Sequence, residues 1–108
     1  MTENKIVSDI NRILKKYPDR VPVFVKKSEY STVPMIQNTK FLSPHDITAA
    51  QFLYIIRKRI KLKPEEALYI YIDNIMPSSN ISMGELYTQY KSTDGALRIT
   101  YSSENTFG

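Results

Sequence analysis

The sequence predicts an α+β fold: a four-stranded mixed sheet packed on one central helix, with an additional helix at the N-terminal end. Three observations lead there. Residues 21–25 (VPVFV) and 68–72 (LYIYI) alternate with a period of two, the mark of strands. Residues 40–60 read as a short strand, a polar turn and one well-specified helix. Capping boxes at Thr48/Gln51 and Ser82/Glu85 start two helices between the strands, so the order is helix, two strands, helix, strand, short helix, strand.

Residues 4–17 form an amphipathic helix with Ile6, Ile10, Ile13, Leu14 and Tyr17 on one side. Pro18 ends it, because the residue before a proline disfavours helical dihedrals. Asp19 and Arg20 turn the chain into strand 21–25. Val21, Val23 and Val25 face the main core, while Pro22 and Phe24 face the first helix; a strand apolar on both sides needs cover on both. Residues 29–39 carry little pattern and are expected as a loop or the start of the second strand. Lys40, Phe41 and Leu42 make a short strand, and Ser43, Pro44, His45 and Asp46 a turn. Thr48 then caps the central helix, with Ile47 stapled onto Phe52. At about 100° per residue, Ala49, Phe52, Leu53, Ile56 and Ile60 share the core face. Ile55 and Arg59 lie on its flank, and Arg57 and Lys58 point elsewhere. An apolar residue and an arginine on a helix flank, beside a short strand, mark a groove. Residues 62–66 turn the chain into strand 68–72. Ser82 and Glu85, with the staple Ile81 and Leu86, start a short helix that runs to about Tyr90. Asp94 and Gly95 turn into a last strand whose Leu97, Ile99 and Tyr101 point inward. The polar tail is expected to be mobile. Two strands, a packed helix and two more strands make a roll of the ubiquitin type.

With 108 residues, 42% of them hydrophobic, the chain is one domain able to bury a core unaided. Within it, residues 1–20 are helix and turn, 21–101 the ubiquitin-like unit and 102–108 the tail. The absence of cysteine excludes a disulfide frame, a thiol nucleophile and a thiolate metal site. The longest apolar run, 52–56, is far short of the roughly 18 residues that span a bilayer. The start, MTENKIVSD, has acids and no apolar block, so no signal peptide is expected and the chain is expected in the cytosol. A net charge of +4, from 15 basic and 11 acidic residues, reads first as a solvated basic surface. Arg57, Lys58, Arg59, Lys61 and Lys63 keep RNA or anionic membrane as the rival. Against that, they spread around a helix and the aromatics form no stacking strip. His45, the only histidine, has no clustered acids or histidines near it in sequence, so neither catalysis nor a metal site is expected.

Three blocks carry a resemblance: KKYPDRVPV at 15–23, QF at 51–52 with IRKRI at 56–60, and YS at 101–102 with FG at 107–108. They resemble the autophagy-related ubiquitin-like modifiers, the family of the GABARAP proteins and the microtubule-associated-protein light chain. The resemblance runs from about Asp9 to Gly108. It implies a β-grasp fold whose C-terminal glycine, Gly108, becomes amide-linked to phosphatidylethanolamine. It also implies a surface for aromatic-x-x-aliphatic peptides, which add a strand beside Lys40, Phe41 and Leu42. The aromatic pocket would be Asp9, Ile13, Pro22, Phe24, Lys40 and Leu42, with Ala96 where the family commonly has phenylalanine. The aliphatic pocket would be Phe41, Pro44, Ile47, Phe52, Ile55 and Ile56, and Arg59 would pair with a peptide acid. Tyr69, Tyr71 and Phe107 match positions that contact processing and conjugation enzymes.

The resemblance implies a non-enzymatic protein with no cofactor or metal beyond the covalent lipid. Its implied partners are activating and conjugating enzymes, a delipidating cysteine protease, motif-bearing receptors and adaptors, and a membrane through the lipid; nucleic acid is not expected. Unconjugated protein would be cytoplasmic, and lipidated protein would sit on autophagosomal or related organelle membrane. The alternative is an unconjugated basic β-grasp module that binds peptides, RNA or anionic membrane surfaces. The chain starts too late to hold the family's short first helix, and it ends at the glycine, where most members carry residues that a protease removes. Asn38 and Thr39 stand where lysines are usual, so attraction for acids upstream of the peptide motif is expected to be weaker.

Overall fold

The structure, a computed structural model, describes residues 2–103. Helix α1 (Thr2–Lys16) leads into β1 (Arg20–Lys27). Next come β2 (Lys40–Pro44), α2 (Ala49–Arg59), β3 (Tyr69–Tyr71), α3 (Met83–Tyr90) and β4 (Leu97–Ser102). The sheet order is β2-β1-β4-β3, with β1 and β4 parallel at its centre and both outer pairs antiparallel. Parallel neighbours need a long crossover, and the segment carrying β2, α2, β3 and α3 supplies it.

Strand period separates the two faces of the sheet. Val21, Val23, Val25, Leu97, Ile99 and Tyr101 are buried in one cluster with Phe52 and Ile56 of α2 and Met83 and Leu86 of α3. On the opposite face, Pro22 is buried and Phe24 half-buried, and Ile10 of α1 is only 3% exposed. Both helix starts are capped as their residues require. Thr48 and Gln51 close a reciprocal box (Gln51 N–H to Thr48 Oγ1, 3.2 Å; Thr48 N–H to Gln51 Oε1, 2.8 Å). Ser82 accepts the Glu85 N–H at 3.1 Å. The two caps are also stitched together, Ala49 N–H donating to Ile81 O and Met83 N–H to Ile47 O, both at 2.8 Å. That bridge sets the start of α2 against the start of α3.

Several details differ from the sequence-based expectation: α1 spans Thr2–Lys16 in place of 4–17, and β2 runs on through Ser43 and Pro44, expected in the turn. Residues 29–39 form a loop, the first of the two expected readings, but Val33 and Ile36 unexpectedly join the core. The loop is pinned by Tyr101, whose hydroxyl accepts from Ile36 N–H (2.8 Å) and donates to Pro34 O (2.9 Å). β3 spans three residues, because Asp73 and Asn74 take positive φ (50° and 64°) and close a tight turn between Ile72 and Ile75. β1 begins at Arg20, one residue before the expected boundary. The tail begins later than expected: Ser102 ends β4, and Ser103 N–H donates to Ser31 Oγ at 3.0 Å, which holds that residue on the loop.

Candidate functional site: the β2 edge

β2 lies at the edge of the sheet, and its register decides what it offers a ligand. Val25 N–H donates to Thr39 O at 2.8 Å. Bonded and non-bonded pairs alternate in an antiparallel ladder, so Phe41 and Ser43 bond inward to β1 while the N–H groups of Lys40 and Leu42 point outward. Asn38 Oδ1 takes the Lys40 N–H at 3.2 Å. The Leu42 N–H is presented at the open edge. Pro22 faces Leu42 across a non-bonded position, where β1 needs no donor toward β2.

Side chains alternate in the same way. Lys40 and Leu42 stand on the α1 side with their cross-strand partners Phe24 and Pro22. Asp9, Ile13, Pro22, Phe24, Lys40 and Leu42, expected as the aromatic pocket, there surround one open cavity of about 160 Å³, completed by Ile6 and Ile10. Apolar cavities of about 150 Å³ take up a single benzene ring, so this one suits one aromatic group. The charges of Asp9 and Lys40 lie at its walls, and Asp9 pairs with Arg12 at 3.5 Å. Ile6 and Ile10 stand on the apolar side of α1 that the four-residue spacing marks, and in the structure they also line the cavity.

Phe41 stands on the α2 side. Its ring meets Phe52 edge-on, with centroids 5.7 Å apart and planes at 78°, and the Arg59 guanidinium lies 5.7 Å from the Phe41 centroid. Of the residues expected as the aliphatic pocket, Phe52 and Ile56 are core residues, 1% and 0% exposed, and form a floor. Phe41, Pro44, Ile47 and Ile55 are half-buried and make the accessible patch. Arg59 is exposed beside them. Arg57 points away and donates to the carbonyls of Lys63 and Glu66, both at 2.8 Å, which holds the loop after α2.

Ala96 does not belong to the cavity. It is 0% exposed, and its N–H donates to Asp94 Oδ1 at 3.1 Å in the turn before β4. At the neighbouring Gly95, φ is +91° and a Cβ would lie 3.1 Å from Ile10 Cγ2, so α1 sits directly on this turn. Tyr87 steadies the turn by donating to Gly95 O at 2.6 Å; burial, with the Asp94 charge second, pushes its phenol pKa up. The residue that does flank Phe24 is Arg98, whose guanidinium stacks 4.8 Å from the ring centroid and pairs with Asp94. Sequence reasoning missed it, since a lone arginine in a strand carries no pattern.

Tyr69 and Tyr71 lie across the sheet from β2. They pair with Ser102 and Thr100, Tyr69 half-buried and Tyr71 buried. Phe107 and Gly108 fall outside the described residues. His45 is exposed and its carbonyl accepts Gly84 N–H at 2.9 Å, a backbone clip between turn and α3. Among the described residues, no three His, Cys, Asp or Glu side chains converge as metal ligands.

An exposed strand edge between an aromatic-sized cavity and an aliphatic patch, on a ubiquitin-type roll, can be compared with known proteins. The family described as "Autophagy protein Atg8 ubiquitin like" matches residues 5–108. The chain belongs to the Atg8 family. It is 52% identical to Autophagy-related protein 8e of Arabidopsis thaliana over 101 residues, covering 94% of this chain and 83% of that one. It is 50% identical to Autophagy-related protein 8 of Schizosaccharomyces pombe over the same length, covering 94% and 84%. Among solved Atg8 structures, that of Trypanosoma brucei ATG8 superposes with a TM-score of 0.91 at 36% identity, covering 100% of this chain and 93% of that one. Plasmodium falciparum Atg8, solved in complex with a P. falciparum Atg3 peptide, superposes with a TM-score of 0.88 at 32% identity, covering 96% and 92%. This Atg8-family chain is thus an autophagy-related ubiquitin-like protein with the family's ubiquitin-like fold.

Proposed function

We propose that the chain is a ubiquitin-like modifier joined through Gly108 to phosphatidylethanolamine, and that its β2 edge captures aromatic-x-x-aliphatic peptides. One observation carries the peptide reading: the cavity and the aliphatic patch lie on opposite faces of the sheet, either side of one edge strand. Residues three apart in an extended peptide also point to opposite faces, because side-chain direction repeats every two. A peptide added to β2 therefore delivers both anchors at once, with Leu42 N–H bonding its backbone. The aliphatic patch extends from Phe41 toward Pro44 and Ile47, so the peptide runs parallel to β2.

Family membership supports the lipid linkage, and the match extends through Gly108. The conjugation chemistry belongs to activating and conjugating enzymes, in line with the Atg3 peptide bound by the Plasmodium falciparum relative; a cysteine protease would reverse it. No described helix is long and apolar enough to cross a membrane. The two acyl chains, at about 0.8 kcal/mol per buried methylene, would supply residence on autophagosomal or related membrane. Calorimetry with three peptides tests the peptide reading: tryptophan and leucine separated by one, two or three residues. The two-residue spacing is expected to bind about tenfold or more tighter than either neighbour, since the others leave one anchor in solvent. Equal affinity for all three would overturn it.

A further inference from the structure

Ser31 sits in a loop yet is only 6% exposed, and two segments far apart in the chain meet at its hydroxyl. Its Oγ accepts the Ser103 N–H at 3.0 Å and the Val33 N–H at 3.3 Å, and lies 3.0 Å from Ser103 Oγ. The turn that carries Ser31 is itself fixed. Ser28 N–H donates to Tyr101 O at 2.8 Å, and Ser31 N–H to Ser28 O at 3.1 Å. The half-buried Lys27 donates its ammonium to the carbonyls of Ser31 (2.7 Å) and Ser28 (3.1 Å). Bonds from an ionised donor are stronger than neutral ones, so the turn is a firm support.

Strand β4 ends at Ser102, so this bracket ties the chain once more beyond the sheet. Gly108 follows Ser103 by five residues, which reach at most about 18 Å. Where Ser103 is held therefore decides which space around the folded body the terminal carboxylate can occupy.

We propose that Ser31 is a positioning residue for conjugation: by fixing Ser103, it sets the point from which Gly108 is delivered while an enzyme holds the body of the chain elsewhere. This rests on the proposed linkage through Gly108. In that chemistry the Gly108 carboxylate attacks the α-phosphorus of ATP and displaces pyrophosphate, forming an acyl-adenylate. An enzyme thiol then gives up its proton and displaces AMP, forming a thioester. Both steps need the carboxyl carbon at one point relative to a body gripped at another. A root that is already fixed has less freedom to lose at that moment. Ser31 touches no reacting atom and acts through Ser103.

The test is single-turnover thioester formation with ATP on the activating enzyme of the same organism, read as a maximal rate and a half-saturating enzyme concentration. Ser31→Ala is expected to lower the maximal rate about three- to tenfold, the scale of refixing one residue's backbone, and to leave the half-saturating concentration within about twofold. Ser31→Thr keeps the oxygen and is expected to restore the rate. Ser31→Ala also leaves the buried Val33 N–H without its acceptor, so a second variant separates positioning from damage to the loop. The chain has no cysteine, and Ser31→Cys/Ser103→Cys places two thiols where the hydroxyl oxygens lie 3.0 Å apart. Closed as a disulfide, this variant is expected to react at about the unaltered rate; opened with a phosphine, it should fall toward Ser31→Ala. An unaltered rate in Ser31→Ala overturns the positioning role, as does a closed double variant no faster than its open form, and either result leaves the linkage standing. No thioester from the unaltered protein overturns the linkage, and the role of Ser31 with it.

Discussion

Tyr101 connects the last strand to a loop that carries no strand pattern of its own. Its hydroxyl is shared between Ile36 N–H and Pro34 O, and its ring is fully buried. Tyr101→Phe leaves a buried N–H without its acceptor, and the expected cost is about 2 kcal/mol in denaturant unfolding. Burial raises the phenol pKa above its ordinary value, and the Ile36 hydrogen bond only partly opposes this. The unfolded chain therefore releases this proton at lower pH than the folded one. The contribution is complete below the ordinary tyrosine pKa of about 10 and is lost as pH rises from there through the raised folded value. Unfolding measured from pH 8 to 11 should show stability falling at the alkaline end, less steeply in Tyr101→Phe. Ala96 needs a different expectation. It is fully buried, and Ala96→Phe should lower stability by about 1–3 kcal/mol through overpacking. Phe24→Ala instead opens the cavity wall, and should weaken a tryptophan-anchored peptide by about 2 kcal/mol with a smaller effect on unfolding. Alternation was enough to put Phe24 and Pro22 on the α1 side in the sequence. Nothing in it told Ala96 from a cavity residue, because that depends on how closely α1 approaches Gly95.

Elements defined by their own residues were legible, and those defined by partners were not. The Thr48/Gln51 box starts α2 where the sequence marks it, and Thr48→Ala should cost about 1 kcal/mol of stability. The arginines near the end of the same helix divide by direction, as their flanks foretold. Arg57 serves the loop carbonyls and Arg59 stands over Phe41. Arg57→Ala should lower stability by about 1 kcal/mol and leave peptide affinity nearly unchanged. Arg59→Ala should do the reverse toward an acidic peptide, by up to about 1 kcal/mol, because the side chain is exposed. Paired unfolding and calorimetry on the two variants separates these roles; equal losses of affinity would deny Arg59 its special place. β3 was overestimated because its alternation continues into Ile72, while the Asp73–Asn74 turn ends the ladder. Residues 29–39 were unreadable because their order comes from Tyr101, far away in the chain.

At the scale of the molecule, the roll gives β2 an edge position with a helix on either face of the sheet. Edge strands invite pairing, and here pockets flank the open edge on both faces. Alternation called for a helix on either face of the sheet, whereas the strand added beside β2 and its two pockets entered only through the family resemblance. Deleting Gly108 should leave an intact fold and peptide site while abolishing the phosphatidylethanolamine adduct in intact-mass analysis of cell-derived protein. Retention of membrane association in the deletion, lost in moderate salt, would favour electrostatic binding instead. The central claim is that a peptide extends the sheet at β2, and amide hydrogen exchange at that strand tests it most directly. Phe41 and Ser43 N–H groups face β1 and should exchange slowly with or without peptide, whereas Leu42 N–H faces outward. Saturation with a tryptophan-x-x-leucine peptide is predicted to slow Leu42 exchange markedly and leave its two neighbours as they were. Leu42 exchange unchanged at saturation would contradict the account.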